Sequence, residues 1–161
     1  MPSHRDEAGR RGHVRRGTTM RVSEVLRRKG ATVITIAPDR SVRELLALLA
    51  EHGIGAVVVS EDGAGVSGIV SERDVVRRLH LYGEEVLDGP VAAIMTVDVE
   101  TCAPPDDVEQ LMTVMTEQRI RHLPVLEEGR LVGLVSIGDV VKHRISEVQA
   151  ERDQLSAYIT R

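Results

Sequence analysis

The chain repeats itself, and the repeat decides most of what it can fold into. The stretch GIVSERDVVR from Gly68 to Arg77 returns as GLVSIGDVVK from Gly133 to Lys142, identical at Gly, Val, Ser, Asp, Val and Val. Upstream, 33–62 laid over 99–128 at a constant offset gives ten identities in thirty positions. Val33, Thr35, Ala37, Pro38, Val42, Leu45, Glu51, Ile54, Val59 and Glu61 each meet the same residue. Apolar alternation alone would match hydrophobic classes; it would not keep Pro38 with Pro104, or the Ser and Asp in step. A duplicated supersecondary unit buries its apolar face against its copy. At 161 residues the chain has room for one ordinary domain or for two small ones sharing a core.

Each copy reads as helix, strand, helix, strand, strand, helix, an α/β (α+β) class of fold. Val22, Val25 and Leu26 share one helical face that Gly30 closes, and 33–36 reads as a strand ended by Pro38. Ser41 and Glu44 have capping-box spacing ahead of Val42, Leu45, Leu46 and Leu49, which run at helical intervals to Gly53. A buried strand at 56–59, a turn at Asp62-Gly63-Ala64-Gly65 and a strand at 66–70 lead into Ser71. Val91, Ile94 and Met95 echo Val22, Val25 and Leu26. The expected organisation is a disordered basic tail over 1–19, units at 20–80 and 91–145, a connection over 81–90 and a C-terminal helical extension over 146–161. In the last helix Val141, Ile145, Val148, Arg152, Leu155 and Ile159 alternate steps of four and three. That narrow seam fits either the first repeat or a second subunit.

Both copies of the ten-residue motif run a strand directly into a helix N-terminus. The first backbone N–H groups there are unpaired and the helix dipole favours negative charge, so each copy is a candidate anion site. The same Ser-x-x-Asp is equally a plain capping box, in which the Asp reaches back to the Ser N–H. The two roles can coexist.

Composition removes several classes of function. With two Tyr, no Phe and no Trp the core must be aliphatic, and a ligand base would lie against aliphatic side chains. Single-stranded nucleic acid, which is usually held on aromatic platforms, is therefore not expected as a main partner. A net charge of −4 gives no footprint for bulk nucleic acid or an anionic membrane. Cys102, the single cysteine, excludes an intramolecular disulfide and a cysteine zinc cluster and fits a reducing cytoplasm. No apolar run approaches a membrane span, and the N-terminus lacks a secretory segment. His4, His13, His52, His80 and His143 show no ligand spacing; they read as surface groups, and no metal is expected.

Two copies of this unit, with APDRSVRELLALLAEHGIGAVVV before GIVSERDVV and APPDDVEQLMTVMTEQRIRHLPVL before GLVSIGDVV, resemble a stand-alone pair of CBS domains, the regulatory Bateman module. The resemblance runs from Met20 to about Ile145. It implies two small sheet-and-helix units about a pseudo-twofold axis, with clefts that bind adenosyl ligands such as AMP, ADP, ATP, NAD or S-adenosylmethionine. By resemblance, Asp74 and Asp139 would hold ribose hydroxyls and Ser71 and Ser136 would lie near phosphate. Thr35 and Thr101 would meet the base, and Arg119, Arg121 and His122 would reach phosphate. Arg73 adds charge to the first motif alone, since its counterpart is Gly138. A carboxylate beside a phosphate would repel it, so the two Asp residues make sense directed at a neutral diol. The expected function is a non-catalytic sensor, working as a homodimer on a regulated protein that the sequence does not name. The alternative is a ligand-free structural or dimerisation module. An enzyme is not expected, because no nucleophile has a paired base and no Walker-type loop is present.

Overall fold

The computed structural model describes residues 19–159; the basic-tail expectation for 1–18, with His4 and His13, lies outside them. In chain order the elements are α1 (Val22–Lys29), β1 (Thr35–Ile36), α2 (Val42–His52), β2 (Ala56–Val59), β3 (Gly68–Ser71) and α3 (Glu72–Tyr82). Two 3-10 turns follow, Gly83–Asp88 and Val91–Ala93, and then α4 (Val108–Glu117), β4 (His122–Glu127), β5 (Arg130–Ser136) and α5 (Ile137–Ile159). The expected mixed α/β class is present, but the full order of elements forms only in the first copy, where the strand expected at 66–70 runs Gly68–Ser71; in the second the leading helix is the 3-10 turn Val91–Ala93.

Local chemistry explains most boundaries. Ser41 Oγ accepts from Glu44 N at 3.2 Å, while Ser41 N donates to the Glu44 carboxylate at 2.8 Å, closing the capping box of α2. Gly53 ends that helix in the left-handed region, at φ 60°. The matching corner after α4 is Arg119, held at φ 56° without a glycine's freedom. Glu128 and Gly129, both at positive φ, make the tight turn joining β4 to β5.

In the first copy β1 pairs parallel to β2, and β2 pairs antiparallel to β3. The second copy keeps the β4–β5 hairpin but reduces the first strand to one parallel bridge, Cys102 with Val125. The strand expected over 33–36 forms only at Thr35–Ile36 for a related reason. This segment is an edge, and only the residues opposite Val58 and Val59 find a partner.

The two cores do not follow the repeat limits, because the leading segments are exchanged. Met20, Val22, Val25 and Leu26 are buried with Val108, Leu111, Leu123 and Val135 of the second copy. Val91 and Ile94 are buried with Val42, Leu45, Val57 and Val70 of the first. Backbone hydrogen bonds clip each leader in the same way. Val91 N donates to Arg40 O, Ala92 N to Pro38 O, and Val42 N to Gly89 O. Their counterparts are Val22 N to Asp106 O, Ser23 N to Pro104 O, and Val108 N to Met20 O. The glycines opening the repeated motif make room for this packing. A Cβ on Gly68 would lie 2.7 Å from Met95 Sδ and 2.8 Å from Thr96 O; on Gly133 it would lie 2.5 Å from Leu26 Cδ2.

Candidate functional site

Both Ser-x-x-Asp motifs form the capping boxes that their spacing allows. At α3, Ser71 N and Ser71 Oγ donate to Asp74 Oδ2 at 2.8 and 2.9 Å, and Asp74 N donates to Ser71 Oγ at 3.4 Å. At α5, Ser136 N donates to Asp139 Oδ2 at 2.9 Å and Asp139 N to Ser136 Oγ at 3.2 Å. The strand ladders then set the neighbours. Ala56 is registered opposite Ser71 and His122 opposite Ser136, so His122 stands beside the second motif where the first has a methyl group. The preceding residues seal the helix starts, Gly55 O accepting from Glu72 N at 3.0 Å and Arg121 O from Ile137 N at 2.8 Å.

The second site carries a contact that the sequence did not reveal. Lys29, in the last turn of α1, donates to Asp139 Oδ2 at 2.6 Å and to Leu134 O at 2.8 Å. Nothing local announces this pair, which joins residues 110 positions apart through the leader exchange. The Asp139 side chain is 15% exposed and that of Lys29 38%. Burial pushes the Asp139 carboxyl up, but the Lys29 hydrogen bond, the Ser136 N–H and the Lys29 charge outweigh it and hold it below the usual carboxylate range. Burial, with the Lys29 charge next, pushes the His122 imidazole down against the pull of Asp139; Arg121 also lowers it and Glu72 raises it. The imidazole is therefore neutral at pH 7. Lys29, Arg121, His122, Asp139 and Glu72 form one electrostatic neighbourhood.

The other expected site residues are more dispersed. Thr35 is half-buried on β1 opposite Val58, and Thr101 is exposed beside the Cys102 bridge. Arg73, Arg119 and Arg121 are exposed. Among the described residues no hydrogen bond joins any of these five side chains to a motif. One cavity of about 480 Å³ lies between α1 and α5, lined by Met20, Val25, Arg28, Lys29, Asp139, Lys142, His143 and Ser146. Another of about 480 Å³ is lined by Leu46, Leu49, Ala50, Gly53, Ile54, Gly55 and Glu72. Each is large enough for a small ligand, but neither gathers a whole motif; of the expected residues only Asp139 lines one. Among the described residues no cluster of His, Cys, Asp and Glu could hold a metal.

His143 corrects the reading of the histidines as surface groups. Its side chain is only 11% exposed, Nε2 lies 3.0 Å from Glu147 Oε1, and Nδ1 is buried with no partner. The residue faces α1 across the groove, which a reading confined to its own helix does not show. Cys102 is buried, and burial, with the Asp106 charge behind it, pushes its thiol up to about 12. It is not a reactive thiol.

The architecture is a duplicated α/β module with exchanged leading segments, each copy closing on a strand that enters a capped helix. The CBS domain family model matches it twice, at residues 22–81 and 91–146, and the chain belongs to that family. It is 34% identical over 146 residues to a mitochondrial CBS domain-containing protein of Arabidopsis thaliana, covering 86% of this chain and 71% of that one. Among solved structures it is similar to a CBS-domain containing protein from Agrobacterium tumefaciens. That match has a TM-score of 0.75 and 46% identity, covering 78% of this chain and 99% of the other. It is also similar to a CBS domain protein from Pyrobaculum aerophilum complexed with AMP, with a TM-score of 0.67 and 30% identity over 74% of this chain and 89% of that one. Among the described residues no helix is long and apolar enough to cross a membrane.

Proposed function

We propose that the chain is a non-catalytic regulatory module that binds an adenosyl ligand at its Ser-x-x-Asp motifs, acts in signal transduction in the cytoplasm, and works as a homodimer on a separate regulated protein. The observation that carries the reading is the duplicated strand-to-helix entry, in which Asp74 and Asp139 are tied into position by their own Ser residues. It is supported by the likeness to the Pyrobaculum protein complexed with AMP. Each carboxylate accepts from a ribose diol, a charge-assisted arrangement stronger than neutral pairing. Ser71 and Ser136, with the helix N–H groups, serve phosphate. Thr35 and Thr101 meet the base, and Arg73, Arg119, Arg121 and His122 supply further polar contacts. The two sites differ in charge. Arg121 stands where the first copy has Gly55 and gives the second site the extra positive charge that favours more phosphate, while the neutral His122, in the place of Ala56, adds a hydrogen-bonding group. A bound ligand shifts the packing of the two copies only by its differential affinity for the two arrangements.

Titration calorimetry with AMP, ADP, ATP, NAD and S-adenosylmethionine tests this. At least one binds, and Asp74→Asn and Asp139→Asn each weaken one site by about tenfold or more, the loss of a charge-assisted hydrogen bond. Flat titrations with all five ligands would refute the reading and leave a structural dimerisation module in its place.

A further inference from the structure

We propose that Lys29 decides which ligands the second site accepts: it holds Asp139 and must be handed over to an anionic group on the ligand before Asp139 can take a ribose. The inference rests on the reading of Asp139 as a diol acceptor and goes beyond it to a residue of α1.

The two motifs differ in what completes the carboxylate. At Asp74 Oδ2 both donors are local, the N–H and hydroxyl of Ser71. At Asp139 Oδ2 the local N–H of Ser136 is joined by the Lys29 ammonium, from the exchanged leader. A ribose diol brings two donors to an acceptor-only group, and the ammonium is already bound there. At the first site a neutral adenosyl compound displaces nothing charged. At the second it must separate an ammonium from a half-buried carboxylate. The surroundings then offer Lys29 only Leu134 O at 2.8 Å and, without a direct contact, the exposed Glu72, whose pull is opposed by the like charge of Arg121 in the same neighbourhood. A phosphate changes the balance, because it gives the displaced ammonium a doubly charged partner. The flexible four-carbon stem of Lys29, 38% exposed, can make that move. The second site therefore prefers a phosphorylated adenosyl ligand to its neutral counterpart through Lys29, and the first site does not share this device. The handover also reports occupancy, since Lys29 closes the last turn of a helix buried in the second core.

The test compares AMP with adenosine by calorimetry in the full chain carrying Asp74→Asn, which weakens the first site and leaves the second to dominate the titration. AMP is expected to bind at least about tenfold more tightly than adenosine, the equivalent of one charge-assisted contact. With Lys29→Met added, adenosine binds more tightly than before, AMP more weakly, and the ratio falls to within about threefold. Lys29→Arg keeps the preference. Because Asp74→Asn alters a helix cap, the same Lys29 substitutions are measured without it, where only the weaker-for-adenosine of two sites should respond. An unchanged AMP-to-adenosine ratio in Lys29→Met, with binding still lost in Asp139→Asn, overturns the role of Lys29 and leaves the proposed function standing. No binding of AMP or adenosine to the unsubstituted chain or to Lys29→Met removes the role of Lys29, and only flat titrations with ADP, ATP, NAD and S-adenosylmethionine as well remove the proposed function.

Discussion

His122 shows how one side chain separates two otherwise matched copies. Its counterpart Ala56 occupies the same register against the Ser of its motif and has no charge to lose. Burial and the nearby Lys29 depress the His122 pKa, so the folded protein resists a proton that the unfolded chain accepts. The stability contribution is therefore fully present above the unfolded value, about 6.5, and is lost as pH falls from there through the folded pKa. The melting temperature should drop between pH 7.5 and pH 5.5, and His122→Ala should flatten that drop. Thermal melts at the two pH values check it, and an equal drop in both proteins would contradict the assignment. Asp139 has the same sign lower down, its depressed pKa giving stability that disappears in acid below about 4. That His122 belonged at a site was implied by the family resemblance, and the strand register sets it opposite Ser136. That its pKa would be lowered was not legible, because the lowering comes first from burial and then from the Lys29 charge, which arrives with the exchanged leader.

Among the elements, those governed by neighbouring residues were the most legible. The α2 capping box, the β2 and β3 pairing and the motif helices follow from spacing alone. The strand ahead of each Pro was legible as a pattern but forms little ladder, because pairing partners rather than propensity limit an edge. The C-terminal seam was legible in period but not in partner. In the structure Val141, Ile145, Val148, Leu155 and Ile159 are between 44% and 86% exposed, so the first repeat does not cover them. A four-three spacing fits a second helix of the same kind, and the proposed dimer would use it. Arg152 interrupts the seam and is turned to Asp153, 2.7 Å away. Arg152→Leu should tighten self-association and Val148→Asp should weaken it, each by about tenfold or more, since about 1.5–3 kcal/mol accompanies burial of one such side chain. Sedimentation equilibrium of the three proteins reads this directly. Identical behaviour would move the dimer contact elsewhere.

At the scale of the whole molecule the exchange of leaders makes the two copies interdependent in one direction. The first core draws on 36–94, a continuous stretch, whereas the second needs Met20, Val22, Val25 and Leu26 from the far end of the chain. The repeat marks the leaders as equivalent, and because the same apolar face fits either copy, only the packing decides which core each enters. The consequence is an asymmetric response to losing α1. Four buried apolar side chains at about 1.5–3 kcal/mol each amount to about 6–12 kcal/mol, which rivals the whole stability of a typical domain, about 5–15 kcal/mol. The same deletion also strips the leader's hydrogen bonds to Asp106 and Pro104 and the Lys29 contact to Asp139. A chain starting at residue 31 should therefore lose the ordered second copy and keep the first. Amide NMR would show dispersed resonances for β2, β3 and α2 beside collapsed ones for β4 and β5, whereas uniform retention or uniform loss would mean that the two cores do not divide as their packing indicates.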